Sequence, residues 1–204
     1  NGEILHHHDV LTMTPLERCA RIKGKSSMEQ NNFAKRAFLH REAIRSIPDD
    51  GEAWHYLGMC LQKLEHVSAL QLSTSALIHA TSLIPNDARL WCNLGLILDR
   101  QQKKDDKLLL EGDRERIEMC YKESIQLHQK CMRLGCDVLS DFETAVLNYG
   151  LFLSYRGDWE KAIEIISLID CEDKITQQQK DAEKLKTFCS AQFRNKESLP
   201  QELQ

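Results

Sequence analysis

His128, Cys131 and Cys136, with Cys120 upstream, are the residues whose types and spacing come nearest to a zinc site. A structural zinc ion needs four nitrogen or sulfur ligands in a tetrahedron; His128, Cys131 and Cys136 by themselves lack a fourth ligand in sequence and a knuckle turn. Lys23-Gly24-Lys25-Ser26 ends like a phosphate-cradling loop, but the first glycine of that motif falls at Cys19, and no apolar strand precedes it. His6, His7, His8 and Asp9 carry chelating atoms on a terminal arm without supporting structure, which reads as a flexible polar arm. Neither G-x-S-x-G nor H-E-x-x-H occurs, and the acidic residues mostly fall on helix faces that should be solvated. No catalytic, cofactor-binding or metal-binding residue is assigned, and the expected class is non-enzymatic.

Eight cysteines stand at 19, 60, 92, 120, 131, 136, 171 and 189 with no C-x-x-C among them. Several occupy helix slots that take small apolar residues, Cys60 two positions after Gly58 being one. They read as reduced, buried thiols of a cytoplasmic protein. No Asn-x-Ser/Thr sequon occurs, in agreement with that compartment. The first residue is Asn1, so a fragment or a removed targeting segment stays open.

With 31 acidic and 27 basic residues and a formal charge of −4, the chain lacks the clustered positive surface that phosphate binding needs. Its nearest basic patch, Arg18, Arg21, Lys23 and Lys25, is short and lies at one end, so RNA binding is a minor alternative. At 204 residues and 42% hydrophobic it can bury one elongated core. Four prolines, nine glycines and the lack of period-two alternation disfavour a sheet. Val67 to Asn86 is the longest uncharged stretch. It is too polar to span a membrane. A helix uncharged on every face should be covered on every face, by neighbouring helices or by another subunit.

The elements that would position a site repeat. Trp54, Leu57 and Gly58 recur as Trp91, Leu94 and Gly95, and Pro48 and Pro85 precede the two copies at the same offset, a period of 37 residues. Glycine inside a helix costs about 1 kcal/mol against alanine, so its recurrence calls for close helix–helix approach. This pattern resembles the tetratricopeptide repeat family, whose unit is a pair of helices with Trp-x-x-Leu-Gly on the first and a proline closing the second. The resemblance covers roughly residues 32 to 170. It implies an all-α fold, an α-solenoid of about three helical hairpins with flanking capping helices.

Repeat one takes residues 51–87, with Trp54, Tyr56, Leu57, Gly58, Cys60 and Leu61 on its first helix, Leu77, Ala80 and Pro85 along its second, and a turn around Leu64 to Ala69. Repeat two begins at Ala88, with Trp91, Leu94, Gly95, Ile97 and Leu98 followed by a late second helix, Arg114 to Leu134, carrying Tyr121, Ser124 and Ile125. A third copy spans Ala145 to Ile169, with Val146 in the tryptophan slot, Tyr149-Gly150 for Leu-Gly, the turn Arg156-Gly157-Asp158, and Ala162 at the small-residue position. Upstream, Asn32 to Ile47 reads as a lone second helix, with Phe38, Ala43, Ile44 and Ile47 at helical spacing. Its first helix would lie in Leu11 to Gly24. Residues 1–31 form an arm and divergent helix. Downstream, residues 171–193 hold a capping helix over Thr176 to Phe193, with Ala182, Leu185, Phe188, Cys189 and Gln192 in phase; residues 194–204 form a polar tail.

In the family the first helices line a concave groove. Carried over, its positions are Glu52, His55, Tyr56, Met59, Gln62 and Lys63; Arg89, Cys92, Asn93, Leu96, Asp99 and Arg100; and Thr144, Leu147, Asn148, Leu151, Ser154 and Tyr155. The partner-binding candidates are His55, Tyr56, Met59, Arg89, Asn93, Leu96, Arg100, Leu147, Asn148, Leu151 and Tyr155. The slots of the family's carboxylate clamp read His55, Met59, Asn93, Thr144 and Asn148. Only Asn93 matches, and without cationic residues a chaperone's carboxylate tail would go unrecognised. The resemblance therefore implies an adaptor or scaffold subunit of a multiprotein complex that takes a partner helix or peptide. The alternative is a regulatory or helper segment of a larger enzyme. Two insertions, Gln101 to Asp113 and Gly135 to Asp141, are further docking candidates; Leu108 to Leu110 is either a docking plug or a short extra helix.

Overall fold

The computed structural model describes residues 33–64, 67–104, 111–169 and 176–197, and all secondary structure within them is helical. In chain order the helices are α1 (Phe33–Ser46), α2 (Gly51–Leu61), a 3-10 turn (Gln62–Leu64), α3 (Val67–Leu83), α4 (Ala88–Lys104), α5 (Glu111–Arg133), α6 (Leu139–Ser154), α7 (Trp159–Ile166) and α8 (Gln177–Glu197). The chain divides into two compact units, Asn1–Leu109 and Leu110–Gln204. The division falls inside the second repeat read from the sequence, between α4 and α5. His6 to Asp9, Leu11 to Gly24, the Lys23 to Ser26 segment and Leu108 to Leu110 lie outside the described residues.

In the first unit the two repeated prolines stop helices and receive tryptophans. α1 and α3 each end two residues before a proline, whose ring disfavours helical backbone just upstream. Trp54 Nε1 donates to the Pro48 carbonyl at 2.7 Å, and Trp91 Nε1 donates to the Pro85 carbonyl at 2.8 Å. The same bond thus recurs at the same offset. Aspartates start the following helices: Asp50 accepts from the Ala53 amide at 3.0 Å, and Asp87 from the Arg89 amide at 2.9 Å.

α2 and α3 run antiparallel, Gly51 lying against Leu83 and Ile84 and Gly58 against Leu77 and Ser73. A methyl group on Gly58 would sit 2.8 Å from Leu77 Cγ, and the Ser73 hydroxyl donates to the Gly58 carbonyl at 2.8 Å. The glycine is therefore required by the approach of α3. Ala37, Ala43, Ile44, Ala53, Leu57, Cys60 and Ala76 form the core beside it, flanked by Trp54 and Leu61. Within α1, Phe38 is 52% exposed and Ile47 also faces outward, so the buried stripe is Ala37, His40, Ala43 and Ile44. At about 100° per residue Phe38 falls more than a quarter turn from both Ala43 and Ile44, which turns it away from the contact with α2.

α3 contains no charged residue. Helices of its unit cover one face, where Leu70, Ser73, Ala76, Leu77 and Ala80 are buried, and leave Gln71, Leu72, Ser75, Ile78 and His79 exposed. Cover on every face is not provided within the unit.

The second unit turns twice on glycines in left-handed backbone, Gly135 at φ 80° and Gly157 at φ 77°. At each, two bonds close the preceding helix: Cys136 N to Cys131 O and Gly135 N to Met132 O after α5, Asp158 N to Leu153 O and Gly157 N to Ser154 O after α6. These are Schellman caps, which need a residue free of a Cβ clash at the left-handed position. Tyr121, Tyr149 and Phe152 pack as the aromatic core, the tyrosine rings stacked at 5.5 Å. Gly150 meets Ile166 of α7, where an added Cβ would come within 2.7 Å, and Leu185 of α8 lies 3.5 Å away.

Several boundaries differ from the sequence expectation. α4 continues through Gln101 to Lys104, α5 starts three residues before Arg114, and α6 starts at Leu139, so both insertions are partly helical. Asp141 in the first turn of α6 opposes the helix dipole favourably. α8 runs on to Glu197, into the segment expected as tail, because nothing before Pro200 breaks it. No described helix is long and apolar enough to cross a membrane.

Candidate functional site

The groove positions of the first unit lie on α2, on the 3-10 turn that follows it and on α4, and they bind one another. Arg89 Nη2 donates to Glu52 Oε1 at 3.0 Å, Asn93 Nδ2 to His55 Nε2 at 2.9 Å, and Arg100 Nη1 reaches Gln62 Oε1 at 3.5 Å. Offsets of 37, 38 and 38 residues show the two helices running parallel, one repeat out of register. His55 is 4% exposed, so this candidate is an internal group, with Nε2 against Asn93 and Nδ1 toward Glu52.

The His55 ring, 3.9 Å from Glu52 Oε2 and so beyond hydrogen-bond reach, and the closer Arg89 guanidinium hold the Glu52 carboxyl at about 2, against burial, which pulls the other way. Arg89 is also tied to Asp87 at 2.5 Å. Tyr56 lies between two imidazoles, stacked on His40 at 5.5 Å and tilted on His55 at 5.0 Å. His40 is itself 1% exposed, and burial, with the charges of Arg36 and His55, lowers it to about 4. Met59 accepts from Gln62 Nε2 at 3.1 Å, while Leu96 is half-buried. Chemically this face is a ladder of imidazole and phenol rings closed by ion pairs.

The second unit is built differently. Arg114 of α5 bonds Glu118 at 3.0 Å and Asp158 before α7, and the Tyr149 hydroxyl donates to Glu118 at 3.3 Å. Burial and the neighbouring Glu118 charge push the Tyr149 hydroxyl up, so it stays a donor. On the other side Glu143, 2% exposed, accepts from Gln179 Nε2 at 3.1 Å and Thr176 Oγ1 at 3.2 Å. α6 is thus clamped to α5 and to α8. Glu143 meets Gln179 and Gly150 meets Leu185, so α6 and α8 run parallel at an offset of 36 residues at the first of these contacts.

Between them lies a groove of about 280 Å³ lined by Thr144, Leu147, Asn148, Leu151, Gln178, Asp181 and Leu185. Leu147, Asn148 and Leu151 are among the sequence candidates. Tyr155, one turn beyond Leu151, is 71% exposed. The wall from α8 was missed. Leu185 had been placed only on a packing stripe, and no tryptophan-glycine motif marks α8 as the counterpart of a first helix. Leucines framed by two amides, a hydroxyl and one carboxylate provide apolar contact with polar orientation. They provide no nucleophile–base pair.

Of the zinc-spaced set, Cys120 is fully buried and His128 Nδ1 bonds the Ser124 carbonyl of its own helix at 2.9 Å. Among the described residues no group of three or more His, Cys, Asp or Glu is placed to hold a metal ion. Cys60, Cys92, Cys120 and Cys189 are buried; Cys131 is half-buried and Cys136 exposed. Burial pushes the Cys60 and Cys189 thiols up, and that of Cys120 to about 11. Neither protein-family models nor characterised protein sequences match the chain.

Proposed function

We propose that this chain is a non-enzymatic interaction scaffold of tetratricopeptide-like hairpins, which docks an amphipathic helix or extended peptide of a partner protein in the α6–α8 groove. One observation carries this: an open, leucine-floored groove between two parallel helices that the buried Glu143–Gln179 bond joins to each other. Pre-organised walls spare the ordering cost of binding, and alternate apolar pockets with a polar rim suit an amphipathic segment. The recurring Pro–Trp bonds and the parallel offsets of 36 to 38 residues support the solenoid reading. The lining holds Asp181 and no lysine or arginine, which disfavours a carboxylate tail as ligand.

The test is recovery of partners from native extract by the full chain and by two single variants. Leu151→Lys places a charge on the groove floor and should lose the partners; Leu72→Lys, on the exposed face of α3, should keep them. Undiminished recovery by Leu151→Lys would sink the reading.

A further inference from the structure

The cap that ends α5 places two cysteines in the pair of positions whose side chains such a cap brings together. Cys136 donates its amide to the Cys131 carbonyl at 3.0 Å and Gly135 donates to Met132 at 2.9 Å. Cys131 is therefore the third residue from the end of α5 and Cys136 the third beyond it, the two positions between which a Schellman motif commonly carries a side-chain contact. A direct backbone bond between two residues keeps their Cα atoms about 6 Å apart, inside the roughly 4.4–6.8 Å that a disulfide spans. Gly135, at φ 80°, supplies the reversal, and a Cβ there would meet nothing within 4 Å, so the turn is uncrowded. Cys131 and Cys136 are also the only described cysteines that are not buried. Their meeting at one cap combines proximity with access, the two conditions for thiol oxidation.

We propose that Cys131 and Cys136 form a reversible intramolecular disulfide by exchange with an anionic low-molecular-weight disulfide of the glutathione class. Cys136, the more exposed, attacks as its thiolate one sulfur of that disulfide, making a mixed disulfide and releasing one glutathione thiolate. The Cys131 thiolate then attacks Cys136 Sγ, forms the Cys131–Cys136 bond and expels the second glutathione. Two protein thiols are oxidised, one disulfide is reduced to two thiols, and the two protons pass to the leaving thiolates. Lys130 and Arg133, in the last turn of α5, attract the anionic reagent. This inference is independent of the groove.

The experiment incubates the native full chain with oxidised glutathione, alkylates remaining thiols at low pH, and maps tryptic peptides without reduction. Trypsin cuts after Lys130 and Arg133, so the disulfide joins the peptide 131–133 to the peptide 134–156 at the summed mass less two hydrogens, and a dithiol separates them. Gly135→Ala, which strains the left-handed position, should slow closure by about tenfold and let the Cys136 mixed disulfide accumulate. Recovery of both cysteines alkylated, of a stable Cys136 mixed disulfide in the unaltered chain, or of Cys136 joined to Cys19 or Cys171 would each overturn the proposal.

Discussion

Two pairs of parallel helices, α2 with α4 in the first unit and α6 with α8 in the second, share an offset of 36 to 38 residues and use it in opposite ways. The first pair fills the space between its helices with its own polar groups, Glu52 to Arg89, His55 to Asn93 and Gln62 to Arg100. The second anchors its polar groups elsewhere, Glu143 at the start of α8 and Tyr149 on Glu118, and leaves leucines facing the gap. A gap closed by hydrogen bonds is a stability device. A gap floored by leucines leaves apolar surface open between its helices.

The strongest way to break this contrast is through what the units have in common. Valine at Gly58 would drive into Leu77, and valine at Gly150 into Ile166, both fully buried neighbours. Each substitution should cost about 3 kcal/mol by overpacking, read as a lowered urea midpoint. A cost at only one of them would mean that the helix pairs are not equivalent.

The next effect separates the units by pH. His40 is neutral when folded at about 4 against 6.5 unperturbed, so the unfolded chain takes up a proton first as the pH falls. Its contribution to stability is complete above 6.5 and lost progressively down to about 4, amounting to about 3 kcal/mol. Glu52, depressed from 4.5 to about 2, extends the loss over that lower window. His40→Leu should flatten the upper part of the pH–stability curve; an unchanged slope would remove the imidazole ladder from the account. In the second unit, Glu118, lowered by Arg114 and Lys122, adds losses only below the ordinary carboxylate value.

Asn93→Ala should cost about 1–3 kcal/mol, because it strands His55 Nε2 in a buried site. Leu151→Gln, at a position 39% exposed, should change stability by less than about 0.5 kcal/mol while weakening partner recovery. If Leu151→Gln proved the more destabilising of the two, the groove would be core rather than surface.

Periodicity together with the repeat resemblance was enough to read an all-helical chain, with the ends of α4, α5, α6 and α8 displaced, since prolines, capping aspartates and turn glycines act within a few residues of themselves. Trp54 and Trp91 announced a recurring environment six residues after a proline, and the shared indole bond gives its cause. Partner positions were less legible. Whether His55 faces a ligand or Asn93 depends on a residue 38 positions away, and whether Leu185 is core or groove wall depends on how deeply α8 settles on Gly150. Local chemistry acts along the chain and is written in residue order; exposure is decided by which distant side chain arrives first, and only packing in three dimensions determines that.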